Sequence, residues 1–425
     1  MTATEPTTAS RRIDVYDGLR GIAVVLVVLS HGWTVWPSTE IDERDWLHPW
    51  FVSGNYAVSI FFAVGAFLAT RSLIKRHEER GTVRFGVEFL RRFLRISAQV
   101  WLLLIAVAVV TGLESEITYR GKETGTSLFR IATYTWNWYL QDHAVVARPD
   151  LGHLWYLSVD MQVFVLILLA VCILRRWPVA LLITLAALLA ACLAWRAHVY
   201  ETEGIYQALL RTTVRADAPL AGAVGAAAMP FLSKLAPAGK WLAGLAAIAL
   251  APLVYLIADP VGAAEPGRNF FGVPGVALTL ALMTFMVGFT LRPDNRPVGV
   301  VLGSPPLAFL GRHSLALFLW HYPIFWYVSR HSDGWSWQER TLVGLAATAV
   351  IAFAGELIAE RPMQRYLSSP DWREVESAGL APYLAKRLRG GSGRREPAVP
   401  LGKHNDDRSR TNSGGGSGDR SGDDD

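Results

Sequence analysis

The stretch Asp14-Val15-Tyr16-Asp17-Gly18-Leu19-Arg20-Gly21-Ile22-Ala23-Val24-Val25-Leu26-Val27-Val28-Leu29-Ser30-His31-Gly32-Trp33 opens on charges, runs unbroken through apolar residues from Ile22 to Leu29, and closes among tryptophans. Helices rise 1.5 Å per residue, so roughly 20 such residues cross a hydrocarbon core of about 30 Å, and a span over roughly 15–36 is predicted. The apolar run continues past signal-peptide length into Trp-rich sequence, which reads as an uncleaved membrane anchor. Eleven steps separate Arg20 from His31, putting an imidazole about 16 Å deeper along the helix than a guanidinium. Both residues then have a bland reading, Arg20 enforcing topology and His31 sitting at an interface, and a functional one, since ionisable groups inside a membrane are rarely without a task.

The same pattern repeats outward along the chain. Runs bounded by charges, Pro or Gly predict further spans near residues 55–73, 94–112, 153–174, 177–195, 213–232, 240–258, 270–291, 307–329 and 340–359, about ten in all. The fold class expected is therefore all-α: a polytopic bundle over residues 13–366, preceded by a flexible 1–12. Composition agrees, with 52% of the 425 residues hydrophobic and 18% charged, and a mean hydropathy of +0.27. The repeated stretches of membrane-crossing length exclude both a water-soluble globular enzyme and a disordered chain.

Charge sets the orientation. Arg71, Lys75, Arg76, Arg80, Arg84, Arg91, Arg92 and Arg95 crowd the second connection, which the positive-inside rule keeps cytoplasmic. Both termini then lie inside, in a multi-pass protein of the inner, or plasma, membrane. The net charge of +5 is explained by these connections and by anionic lipid, so no nucleic-acid partner is expected. The two cysteines, Cys172 and Cys192, both lie in apolar runs and can build neither a disulfide framework nor a zinc site; with no metal-ligand spacing elsewhere, no metal is expected. Residues 367–389 mix Trp372, Leu380, Tyr383 and Leu384 with charges, as either a short surface helix or a disordered stretch. From Gly390 the chain is Gly/Ser/Arg/Asp-rich and expected to be a disordered tail through which a protein partner can be recruited.

Several separated segments carry a resemblance. They are Asp17-Gly18-Leu19-Arg20-Gly21 with His31; Phe61-Phe62 leading to Gly65-Ala66-Phe67-Leu68; Arg92-Phe93-Leu94-Arg95; His153-Leu154-Trp155-Tyr156-Leu157-Ser158-Val159-Asp160-Met161-Gln162; Leu310-Gly311-Arg312-His313-Ser314; Leu319-Trp320-His321-Tyr322-Pro323; and Glu360-Arg361-Pro362. In this order they resemble the acyltransferase 3 family of integral-membrane acyltransferases. Two departures stand out: Gly65-Ala66 replaces the usual Ser-Gly, where a small residue can still serve close helix packing, and Asp160-Met161 keeps one carboxylate where the family often has two.

The resemblance implies an O-acyltransferase moving an acetyl or other short acyl group to a hydroxyl of an envelope glycan, lipid-linked sugar or glycolipid. Many family members carry an SGNH-type hydrolase domain after the bundle; with a tail there instead, the acceptor is expected to meet the bundle directly or pass to another protein. The residue chemistry suits that activity. Acyl-CoA is the expected co-substrate, no cofactor being held permanently, and its phosphates favour the planar guanidinium groups of Arg20, Arg92 and Arg95. His31 is placed as general base, or alternatively as a nucleophile through an acyl-histidine. Asp160 is either a proton relay or the partner of a neighbouring arginine. His321 and His153 are cavity candidates whose other fate is a backbone hydrogen bond, and Trp136 and Asn137 either meet a sugar ring or anchor the interface. Asp17, Glu360 and Arg361 are expected in structural charge pairs, as is Arg215 with Asp217. The competing class is a secondary transporter or lipid exporter; its pointer, matched broken helices in two repeated halves, is missing.

Overall fold

The computed structural model describes residues 8–37, 45–114, 122–258 and 270–390, with side chains over 14–387 of these except 258. Helices dominate and no strand occurs among the described residues. The long helices are α1 (Thr8–Val35), α2 (Gly54–Arg80), α3 (Phe85–Leu113), α4 (Trp155–Leu174), α5 (Pro178–Glu203), α6 (Asp217–Ala228), α7 (Gly239–Ala258), α8 (Val273–Leu291), α9 (Pro305–Arg312), α10 (Ser314–Arg330) and α11 (Trp337–Gly355). Among the described residues, eight helical segments are long and apolar enough to cross a membrane: α1, α2, α3, α4, α5, α7, α8 and α11 with their short extensions. The protein is a multi-pass membrane helix bundle.

Two expected spans differ from the rest. The 213–232 stretch is broken at Ala216 into a short turn, Thr212–Arg215, and the 12 residues of α6, after which Met229-Pro230 turns the chain into the short 3-10 segments Met229–Phe231 and Ser233–Ala238. The 307–329 stretch is broken at His313 into α9 and the 17-residue α10. The third helix begins at Phe85, nine residues before the expected start, so Arg92 and Arg95 lie within α3 rather than ahead of it. A hydropathy window excludes charged turns that the backbone continues through.

The DGLRG glycines explain how α1 is seated. A Cβ on Gly18 would lie 1.6 Å from the Leu302 carbonyl oxygen, one on Gly21 2.2 Å from that of Leu307, and one on Gly311 1.7 Å from that of Asp17. Only glycines allow α1 to approach the backbone of residues 302–311 this closely, as small residues do in membrane interfaces generally. Gly222 of α6 plays the same part against Ala63 of α2. Gly65 does not: a Cβ there would meet nothing within 4 Å, so the close packing expected at that departure lies elsewhere. Apolar side chains also face outward, Ile248 at 71% and Val350 at 70% exposed, as a lipid-facing surface requires.

Residues 367–389 are helical, as Pro370–Ala378 followed by Leu380–Gly390. Trp372 is buried, and Glu376 accepts hydrogen bonds from Arg80, at 3.0 Å, and from Arg91. Part of the basic connection is thus committed to a carboxylate. The tail beyond Gly390 and the extreme N-terminus lie outside the described residues.

A candidate active site of converging histidines

Three histidines distant in sequence converge. His31 comes from α1, His153 from the 3-10 segment Pro149–Leu154 that leads into α4, and His321 from α10. The His31 and His321 rings stack with centroids 4.9 Å apart and planes within 8°. His153 lies 5.4 Å from His321 and 6.0 Å from His31, edge-on to both. Tyr322 closes the group, 4.5 Å from His31 and 5.1 Å from His153. His321 and His153 are buried and His31 is partly exposed, so His31 is the member of the group that is open to an arriving molecule.

The hydrogen bonds assign the tautomers. His321 Nδ1 lies 2.8 Å from the Phe318 carbonyl oxygen and 3.1 Å from that of Leu317. Carbonyl oxygens only accept, so Nδ1 carries the proton and Nε2 of the neutral ring is an acceptor. That Nε2 is 2.6 Å from His31 Nδ1. Nδ1 of His31 must therefore be the donor, which leaves its Nε2 with a free lone pair. A backbone carbonyl, relayed through one imidazole, thus fixes the tautomer of a second.

Pro323 explains the third histidine. Proline has no N–H, so the carbonyl four residues earlier, Leu319, loses its helical donor. His153 Nε2 lies 3.2 Å from that oxygen and donates to it. The Leu-Trp-His-Tyr-Pro motif thereby supplies both His321 and the acceptor that fixes His153. Nδ1 of His153 is buried with no hydrogen-bond partner. The strap ahead of it is pinned by Arg148, whose guanidinium donates to Asp150 at 2.9 and 2.5 Å and to Thr111 at 2.6 Å.

Eleven residues nearer the N-terminus of α1 than His31, at Arg20, the arginines gather. Arg95 lies close enough to Arg20, Arg92 and Glu360 for their charges to act on one another. The three are not equivalent. Arg20 is 3.7 Å from Asp17, and Arg92 donates to Asp160 at 2.6 Å while lying over the Phe164 ring. Arg95 is exposed and, among the described residues, has no ion-pair partner. Arg92 is thus the neighbouring arginine that pairs with Asp160.

Other expected pairings rearrange. Glu360 accepts from Gln99 at 2.6 Å and Gln364 at 2.8 Å rather than pairing with Arg361, which lies over the Phe353 ring. Adjacent helix residues point about 100° apart and do not face each other. Asp217 pairs with Arg196, while Arg215 stacks over Trp155 and Phe270. Trp136 and Asn137 are buried in the scaffold: the indole donates to the Leu151 carbonyl at 3.0 Å, and the Asn137 amide donates to Leu210 O at 2.9 Å and Thr212 Oγ1 at 3.0 Å. Neither retains surface for a sugar ring. Sequence reasoning passed over Tyr322, although its place beside His321 is a readable signal. No cluster of metal-ligating residues occurs among the described residues.

Comparison with known proteins gives the family of the chain. A family model described as an acyltransferase domain, Acyl_transf_3, matches residues 13–360. A protein of Staphylococcus aureus (strain COL) named a putative O-acetyltransferase is 23% identical over 384 residues, covering 85% of this chain and 59% of the relative. Peptidoglycan O-acetyltransferase OatA of Listeria monocytogenes serovar 1/2a is 23% identical over 371 residues, covering 82% and 55%. O-acetyltransferase OatA of Staphylococcus aureus (strain NCTC 8325 / PS 47) is 22% identical over 362 residues, covering 82% and 57%. The chain thus spans somewhat under three fifths of the length of these relatives. No solved structure matches it. With the family model covering all the helices that build the histidine cluster, the chain belongs to the acyltransferase 3 family.

Proposed function

We propose that the bundle is an O-acyltransferase of the plasma membrane that takes a short acyl group, acetyl above all, from cytoplasmic acyl-CoA and transfers it to a hydroxyl of an envelope glycan or lipid-linked sugar. The observation that carries this reading is the 2.6 Å contact between His31 and His321, which leaves a base on His31. The arginines gathered at Arg20 suit the phosphates of the donor. The relatives named O-acetyltransferases, one of them for peptidoglycan, support the acyl group and the class of acceptor.

The chemistry follows from the tautomers. The acceptor oxygen bonds to the thioester carbonyl carbon as its proton passes to Nε2 of His31. Collapse breaks the C–S bond, and the imidazolium returns the proton to the departing thiolate, giving ester and free thiol. His321 holds His31 in the productive tautomer throughout, because its own Nδ1 proton is committed to backbone carbonyls. Arg95, which forms no ion pair among the described residues, is the first contact for the donor's phosphates; Arg20 and Arg92 add field at the same mouth.

The test is mass spectrometry of envelope polysaccharides and lipids from a strain lacking the gene and from the same strain complemented. One ester class is expected to vanish and return with the wild-type gene. An unchanged ester inventory would overturn the reading.

A further inference from the structure

A large cavity lies away from the histidines, on the other side of α1. At about 100° per residue, Arg20 and His31 fall roughly 20° apart on the helix, whereas Leu19, Ile22 and Leu26 centre about 140° away. Those three residues wall a cavity of about 1060 Å³, beyond the roughly 300–1,000 Å³ usual for small-molecule sites. Its other wall is α7, whose Trp241, Leu245 and Ile248 line it and are 65% or more exposed. From Trp241 to Val254 the wall runs about 20 Å, some two thirds of a hydrocarbon core.

The polarity is one-sided. The charged lining residues, Lys240, Asp294 and Arg296, sit at one end of the groove, and the remainder is almost wholly apolar. Asp294 is taken by Arg292, which donates to it at 3.1 and 2.8 Å, and this pair holds the Asp294 carboxyl below its usual range. Asn295 is likewise engaged, its amide donating to the Lys240 carbonyl at 2.9 Å. Lys240 and Arg296 are exposed and form no ion pair among the described residues, the Lys240 ammonium lying 5.3 Å from the centroid of the Trp241 ring. An apolar trough with two exposed cations outside any ion pair at its mouth is complementary to an amphiphile with an anionic head.

We propose that this groove binds an anionic glycerophospholipid of the leaflet on the Arg20 side, its phosphate between Lys240 and Arg296 and its acyl chains along α7. The lipid braces the back of the helix whose front carries Arg20 and His31. This binding is independent of acyl transfer and is tested without it.

The full chain is reconstituted in nanodiscs holding equal parts of palmitoyl-oleoyl phosphatidylglycerol and phosphatidylethanolamine, extracted gently, and weighed by native mass spectrometry. Wild type is expected to retain phosphatidylglycerol in preference. A basic residue at an anionic lipid surface contributes roughly a fivefold effect, so Lys240→Gln with Arg296→Gln should cut retention about twenty-five-fold. Gly244→Leu is the second variant: a Cβ there meets only Asn295 Nδ2, at 3.7 Å, so the helix accepts it and the side chain fills the groove. It should expel both lipids. Equal retention of the two lipids by wild type, undiminished phosphatidylglycerol in the double variant, or a dimer mass that Gly244→Leu abolishes would each overturn the proposal.

Discussion

A hydrogen-bond acceptor assigns chemistry that a residue type alone leaves open. His31 can be a base, a nucleophile or an interfacial histidine by composition; a donor contact to His321, whose own proton is held by Phe318 and Leu317, leaves its Nε2 with the lone pair that the proposed base requires. His31→Ala should lose roughly 10²–10⁴ in rate, the usual value of a general base, at unchanged protein level. His321→Ala keeps that base but frees its tautomer. It should lower kcat more than it raises KM and shift the pH–rate profile, a readout that mere loss of packing does not give. The arginines are separable in the same way. Arg92 is tied to the largely buried Asp160, and breaking a buried pair costs about 3–5 kcal/mol; partial exposure of Arg92 places this pair towards the lower end. Arg92→Gln should therefore lower the thermal midpoint, whereas Arg95→Gln should leave it in place and weaken acyl-CoA binding. Calorimetry and donor titration on the two purified variants decide this. Equal loss of donor affinity without loss of stability in both would merge the two roles.

Helices meet here through glycines, and the contact distances rank them. Gly18→Ala forces a methyl into the Leu302 carbonyl and must push α1 from its seat, while Gly65→Ala places the same methyl in open space. Overpacking costs typically 1–3 kcal/mol, and Gly to Ala in an unhindered helix gains about 0.5–1 kcal/mol. The two variants should move the melting temperature in opposite directions. Both falling alike would show that α1 is not held by this backbone approach. Pro323 is the other position where backbone chemistry reaches the site. Pro323→Ala restores an N–H to compete for the Leu319 oxygen that His153 uses, so helix stability should rise as transfer falls.

Much of the whole molecule was legible in one sequence, for physical reasons. A hydrocarbon solvent leaves few solutions, so long apolar runs fixed the bundle, and the first span with Arg20 and His31 was placed from helical rise alone. The pairings were not legible, because they join residues far apart: Arg92 with Asp160, Arg196 with Asp217, and His153 with the carbonyl that Pro323 frees. Neighbours in sequence, such as Glu360 and Arg361, suggested a bond that helix geometry forbids. The short α6 was hidden because hydropathy counts apolar residues and does not see Pro230 end the helix. The tail from Gly390 has almost no apolar residues, and truncation after Gly390 should preserve activity in membranes; truncation after Tyr366 should not, since it removes Glu376 from Arg80 and Arg91. The central claim, acyl transfer from a base on α1, is met most directly by purified protein in liposomes given labelled acetyl-CoA and an envelope-glycan acceptor. Wild type should form labelled ester, and His31→Ala, equally inserted and equally stable, should form it at about one hundredth of that rate or less. Labelling by His31→Ala at the wild-type rate would contradict the account.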